Sequence, residues 1–209
     1  MKIYQKSDAL DRFSFFENLS SALSKSPSTG IFFKGNSAYV FDDVACGKLI
    51  VRDGRRDSHI FYDFKTGDTL KLDTMMTPTF PQYCNNIFFL NKRKLLAFVK
   101  NLNIPKRKAQ KALIFIEVRE TSIHLTIRSA KGECIGSFSQ PLYINKNKVR
   151  NVFIKNLTFR TNFYYFYQIL LYSFAEYDII GVRHNNSKEI FMFGKNNKKP
   201  NISWSLKGV

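Results

Sequence analysis

The sequence predicts an α+β fold in which short helices lie on one face of mostly antiparallel sheet. Three observations predict it. Three segments carry apolar residues at helical spacing. Each is preceded by a strand-like run and followed by two or three more. The apolar content is also aromatic, with 21 Phe and 10 Tyr, residues that suit pleated, half-buried surfaces. An A/T-rich genome is the competing source of the Phe and of part of the Lys. At 209 residues and 44% hydrophobic, the chain is too apolar for a disordered basic tail. It is long enough for one large domain or two small ones.

Residues 2–4 read as a strand. The first helix follows, with Ala9, Phe13, Phe16, Leu19 and Leu23 on its apolar stripe and Pro27 and Gly30 ending it. Strands are expected at 31–33, 38–41 and 48–51, with Gly35-Asn36 as the first turn, and further strands at 57–64 and 69–73. The stretch 75–81, with Pro78 and Pro81, reads as a linker. A strand at 86–90 then leads into the second helix, whose stripe is Leu95, Leu96, Val99 and Leu102 and whose stop is Pro105. Strands at 113–118, 123–127 and 134–138 follow. Strands at 152–154 and 157–159 precede the third helix, with its stripe of Phe163, Phe166, Tyr167, Leu170 and Phe174 and with Thr161 or Asn162 as N-cap. Strands at 178–182 and 189–193 flank the turn His184-Asn185-Asn186-Ser187. A strand–helix–two-or-three-strand order thus repeats from near residues 2, 86 and 152, as a pattern without residue identity.

This order resembles the DNA sliding clamp, which uses such a unit twice per domain. Residues 87–99 (IFFLNKRKLLAFV) look like the strand and helix that open a half-domain, and 113–127 like its paired strands. Residues 157–163 through 178–180 look like the second half. The resemblance implies a shorter or diverged N-terminal clamp-like domain over 1–85 and a complete one over 86–194. A basic tail over 195–209 would follow, with an apolar patch at Ile202 and Trp204. It also implies helices on the DNA-facing side. There the second helix carries Lys92, Arg93, Lys94 and Lys100, whereas the third departs from the pattern with Tyr164, Tyr165 and Tyr172. A strongly basic second part fits a clamp-like protein that holds DNA without closing a ring.

Charge supports a polyanion as partner. Residues 1–90 hold 11 Lys/Arg and 10 Asp/Glu, a net of +1; residues 91–209 hold 22 and 6, a net of +16. Such a concentration of charge repels itself unless an anion meets it. Residues 92–111 carry Lys92, Arg93, Lys94, Lys100, Lys106, Arg107, Lys108 and Lys111 without an acid. Here Lys92, Arg93, Lys94 and Lys100 are expected on the polar side of the helix, and Lys106-Arg107-Lys108 in a loop beyond Pro105. A second acid-free run holds Lys146, Lys148, Arg150, Lys155 and Arg160. These runs are expected to form one positive surface that grips the phosphate backbone with weak sequence preference. The competing reading is a solvated face with no ligand. Tyr164, Tyr165 and Tyr172 suit stacking on unpaired bases, against the commoner role of tyrosines as core or boundary residues.

Chemistry has little footing. His59, His124 and His184 fall in separate elements, and no Gly-rich phosphate loop occurs. Asp42, Asp43, Asp53, Asp57 and Asp63 raise the alternative of a metal-dependent nuclease or another nucleic-acid enzyme; turn and strand-exterior positions compete with it. Cys46, Cys84 and Cys134 form no metal or disulfide spacing, which suits a reducing intracellular setting: cytoplasm, nucleoid, or a host cell for a viral chain. No signal peptide is legible at the N-terminus, and no window reaches the roughly 20 apolar residues of a membrane span. The expected function is therefore non-enzymatic DNA binding by a clamp-like replication or processivity factor, with no cofactor, no metal and no membrane. DNA is the expected partner ahead of RNA, with a polymerase or another replication protein beside it. An RNA-binding assembly component is the second alternative, and homo-oligomerisation is left open.

Overall fold

The computed structural model describes residues 3–51, 59–74, 80, 86–142, 157–184, 189–196 and 199–209. Two compact units emerge, Met1–Phe80 with Gly194–Ser205, and Pro81–Phe193 with Leu206–Val209. All of the expected linker at 75–81 except Phe80, residues 185–187 of the expected turn at 184–187, and the strand at 152–154 lie outside the described residues.

The first unit is built on α1 (Ile3–Leu23), which packs on strands β1 (Gly30–Lys34) and β2 (Ser37–Phe41) of a sheet that continues with β3 (Ala45–Ile50). Strands β4 (His59–Asp63) and β5 (Thr69–Leu72) extend the sheet on one side, and β13 (Lys199–Lys207) on the other, in the order β5-β4-β1-β2-β3-β13. The helix buries Ala9, Phe13, Phe16 and Leu19, the stripe its spacing predicts. The expected strand at residues 2–4 is corrected: α1 begins at Ile3, since nothing from Ile3 to Asp8 breaks a helix.

The expected basic tail is also corrected, because residues 199–207 form a strand. Its alternating Ile202, Trp204 and Leu206 are buried, as one face of a covered strand should be. The Trp204 ring lies 5.6 Å from that of Phe13 and 5.1 Å from that of Phe16. Gly47 makes room for it: a Cβ there would stand 2.7 Å from the indole.

The second unit contains two copies of one plan. The first copy is β6 (Asn86–Asn91), α2 (Lys92–Asn101), a short α3 (Lys106–Lys111), β7 (Leu113–Val118), β8 (Ser122–Arg128) and β9 (Cys134–Pro141). The second is β10 (Leu157–Asn162), α4 (Phe163–Gln168) continued by a π-helical turn at Ile169–Ser173, β11 (Ile179–His184) and β12 (Glu189–Asn196). The leading strands are exchanged. β6 pairs with β11, setting Leu90 opposite Ile180, while β10 pairs with β7, setting Phe159 opposite Ile116. The runs are β12-β11-β6 and β10-β7-β8-β9.

Each exchange is locked at the strand-to-helix corner by the same two contacts. Asn91 Oδ1 accepts the Lys94 amide at 3.0 Å, and Asn162 Oδ1 the Tyr165 amide at 3.1 Å; each is an N-cap. The next residue's amide then donates across the copies, from Lys92 to the Asp178 carbonyl at 2.8 Å and from Phe163 to the Ala112 carbonyl at 3.0 Å. Buried Gln140 adds a bridge from β9 to β6: its amide donates to Phe89 O at 2.7 Å, and its carbonyl accepts from Asn91 N at 3.0 Å.

The expected loop at Lys106–Lys108 is helical instead. Pro105, at φ −58°, stands before Lys-Arg-Lys-Ala-Gln-Lys, a run of strong helix formers. In the third helix Tyr165, Ile169 and Ser173 are buried together with Phe163, Phe166, Leu170 and Phe174, while Tyr167 of the predicted stripe is only half-buried.

Replacing either cap, Asn91→Ala or Asn162→Ala, is expected to cost about 1 kcal/mol in urea unfolding. An exposed control, Asn101→Ala, is expected to stay within about 0.5 kcal/mol.

Candidate nucleic-acid interface

Residue alternation gives the sheet β10-β7-β8-β9 two unlike faces. Ile114, Ile116, Val118, Ile123, Leu125 and Ile127 point inward and are buried. The helices cover this side. α2 comes so close to β9 that a Cβ on Gly136 would stand 2.8 Å from Leu102, and the rings of Phe98 and Phe138 lie 5.6 Å apart. Phe115, Glu117, Arg128 and Arg160 belong to the opposite, outward face, where Arg128 sits 5.5 Å over the Phe115 ring.

The basic residues divide between these surfaces. Arg93, Lys94 and Lys100 on α2, and Lys106, Arg107, Lys108 and Lys111 on α3, are all exposed. Among the described residues none of these is paired with a carboxylate; an ion pair does occur elsewhere, between Arg119 and Glu117 at 3.0 Å. A cluster of unneutralised cations over a short stretch sets up a strong positive potential. Lys146, Lys148, Arg150 and Lys155 lie outside the described residues.

Two expected members do not join the cluster. Lys92 is 5% exposed and turned inward. Its ammonium donates to the Phe174 carbonyl at 2.6 Å and to the Ala175 carbonyl at 3.0 Å, at the end of the π turn. A cation is favourable there because it meets the negative end of a helix; the Phe174 carbonyl also accepts the Tyr177 amide at 2.9 Å, so the ammonium takes up its second lone pair. Lys92 follows the cap residue, so the corner that bonds its amide to Asp178 also aims its side chain at the neighbouring copy. Arg160 is exposed, but it lies on the outward sheet face and its Nε donates to the Val209 carbonyl. The alternation of β10, with Phe159 and Thr161 buried, puts it there.

A cleft of about 340 Å³ opens between α2, α3 and α4. Val99, Ile104, Ala109 and Phe163 supply apolar walls; Lys100, Lys106, Asn103, Tyr164 and Tyr167 supply polar ones. Asn103 adopts φ +46°, which reverses the chain between α2 and α3 and brings Lys106 to the side of Lys100. The tyrosines expected as stacking candidates are split. Tyr165 is buried, Tyr172 is 46% exposed, and Tyr164 is half-buried in the cleft wall. Tyr167, read from sequence as a core residue, shares that wall one turn on. Burial raises the phenol pKa of both Tyr164 and Tyr167, with Tyr172 adding to it, so both remain neutral donors at physiological pH.

The acidic residues of the nuclease alternative are occupied by turns. Asp42 Oδ1 accepts the amides of Val44 and Ala45, both at 2.8 Å. Asp63 Oδ1 accepts those of Lys65 at 2.7 Å and Thr66 at 3.0 Å. Asp43 accepts from the Ser24 hydroxyl, which holds its carboxyl below the usual carboxylate range. Asp53 and Asp57 lie outside the described residues. Among the described residues no three His, Cys, Asp or Glu side chains are grouped to hold a metal ion.

The chain has the sliding-clamp fold. The proliferating cellular nuclear antigen of Entamoeba histolytica aligns at TM-score 0.57 and 12% identity, over 93% of this chain and 94% of that one. The β subunit of DNA polymerase III from Borrelia burgdorferi, solved with a natural product, aligns at 0.68 and 13% identity, over 99% of this chain and 62% of that one. The β subunit from Pseudomonas aeruginosa aligns at 0.65 and 9% identity, over 98% and 65%. The chain therefore spans just under two thirds of the length of these two β subunits. No family model and no curated protein matches the sequence.

Lys92→Met is expected to lower stability by about 1–3 kcal/mol, since it removes two charge-assisted hydrogen bonds at the end of the π turn. Lys94→Met, at an exposed position of the same helix, is expected to stay within about 0.5 kcal/mol. Thermal and urea unfolding of the two variants side by side check the difference.

Proposed function

We propose that this chain is a non-enzymatic, clamp-like DNA-binding protein that serves replication as an accessory or processivity factor. It meets the phosphate backbone through the helix side of its second unit. The observation that carries this reading is the group Arg93, Lys94, Lys100, Lys106, Arg107, Lys108 and Lys111. All are exposed and, among the described residues, without carboxylate partners, and all are carried by the two helices α2 and α3. Such a surface binds by releasing counterions from the nucleic acid and carries no base-reading geometry, which suits a protein that acts along DNA of any sequence. The fold supports the replication context: solved structures that share it include a DNA polymerase III subunit, so a polymerase is the expected protein partner. The nuclease alternative loses support because Asp42 and Asp63 already serve backbone amides.

Duplex binding across a salt series tests the reading. With about six phosphates contacted, log K is expected to fall against log salt with a slope near −5. The triple variant Arg93→Glu, Lys106→Glu, Arg107→Glu is expected to weaken binding at least tenfold and to flatten the slope by about 3. Unchanged affinity in that variant would overturn the proposal, and a preference for A-form RNA over DNA would redirect it to the RNA-binding alternative.

A further inference from the structure

The phosphate-gripping surface leaves one feature unused. A duplex offers phosphates and keeps its bases stacked inside, so it has no need of an aromatic wall. Yet α4, Phe-Tyr-Tyr-Phe-Tyr-Gln, has no charged residue and presents tyrosines beside the lysines of α2 and α3.

We propose that the cleft between α2, α3 and α4 is a binding site for an unpaired nucleotide of single-stranded nucleic acid, with the base against Tyr164 and Tyr167 and the flanking phosphates on Lys100 and Lys106. The proposal rests on the nucleic-acid-binding reading above and adds the strandedness that reading leaves open. Four features carry it. The volume, about 340 Å³, falls at the small end of the roughly 300–1,000 Å³ found for small-ligand sites. Tyr164 and Tyr167 stand three residues apart on one helix face and stay partly open, while Tyr165 between them is buried. Lys100 and Lys106 line the same cleft from two different helices, so cations lie beside the aromatic wall, the combination that single-strand grooves use. Finally, both phenols are protonated at neutral pH, as any tyrosine is at its ordinary pKa, and burial moves them further from ionisation. They therefore do not repel phosphate, and they offer hydroxyl donors to a base edge.

The test compares three probes on the full chain: an oligothymidylate, an abasic oligomer of the same length, and a duplex of the same length. The wild type is expected to bind the oligothymidylate more tightly than the abasic oligomer. The double variant Tyr164→Ala, Tyr167→Ala is expected to lose between about 5- and 100-fold for the oligothymidylate, with abasic and duplex affinities unchanged. Tyr164→Phe with Tyr167→Phe is expected to keep most of the affinity, because the ring rather than the hydroxyl stacks. Equal binding of the oligothymidylate and the abasic oligomer by the wild type would overturn the proposal. So would a double variant that weakens all three probes alike. If the alanine variant does not fold, photocrosslinking of the wild type to a 4-thiothymidine oligomer decides: adducts on Tyr164 or Tyr167 support the site, and adducts found only elsewhere sink it. The two readings fail separately. Duplex affinity untouched by charge reversal, together with tyrosine-dependent binding of oligothymidylate, removes the duplex surface and keeps the cleft. Charge-dependent duplex binding with no dependence on bases does the reverse.

Discussion

In the second unit each structural copy begins with a strand that pairs with the other copy's sheet, and the placement of every residue around the cleft depends on that exchange. Once β6 lies beside β11 and β10 beside β7, neither copy can bury its inner face alone. The corners fix the geometry. An asparagine caps each helix, and the next amide donates to the carbonyl that precedes the other copy's first post-helix strand. With both helices tied at their first residue, α2 and α4 are held on the inner side of their sheets and the cleft between them is a consequence. The buried Lys92 belongs to this scaffold: it closes the far end of the neighbouring helix with its charge.

That scaffold explains how one helix layer can present two chemistries. On α2, Leu95 and Val99 are buried together with Lys92, so Arg93, Lys94 and Lys100 must face solvent. On α4, Phe163, Tyr165 and Phe166 go inside, which leaves Tyr164 and Tyr167 at the cleft. The copies share a backbone plan while their exposed positions diverge, one carrying cations and the other an aromatic surface. Repetition of fold without repetition of surface is expected where packing constrains inner positions and only the ligand constrains outer ones.

The repeat was legible in the sequence because its signals are local: helical stripes at Leu95/Val99 and Phe163/Phe166/Leu170, and alternation at Ile123/Leu125/Ile127. The exchange of strands was not, since pairing β6 with β11 joins residues about ninety positions apart and leaves no trace in composition. The role of Lys92 was hidden for the same reason. Its neighbours in sequence are cations, whereas its partners are carbonyls at 174 and 175. Asn91 was a missed signal, an N-cap residue directly before the apolar stripe, just as Asn162 is. The strand at residues 199–207 was masked by its lysines, although Ile202, Trp204 and Leu206 alternate as a covered strand requires. Tyr167 was placed in the core because Phe163, Phe166 and Tyr167 were read as one stripe, whereas the buried face of α4 is centred on Phe166 and Ile169 and takes in Tyr165 instead.

Covalent labelling of lysines and arginines, with and without bound DNA, tests most directly whether the α2–α3 layer is the surface that meets nucleic acid. DNA is expected to shield Arg93, Lys94, Lys100, Lys106, Arg107, Lys108 and Lys111. Arg128 and Arg160, on the outward sheet face, should keep their reactivity, and Lys92 should resist labelling in both states. Shielding of Arg128 and Arg160 while the helix residues stay reactive would contradict the account.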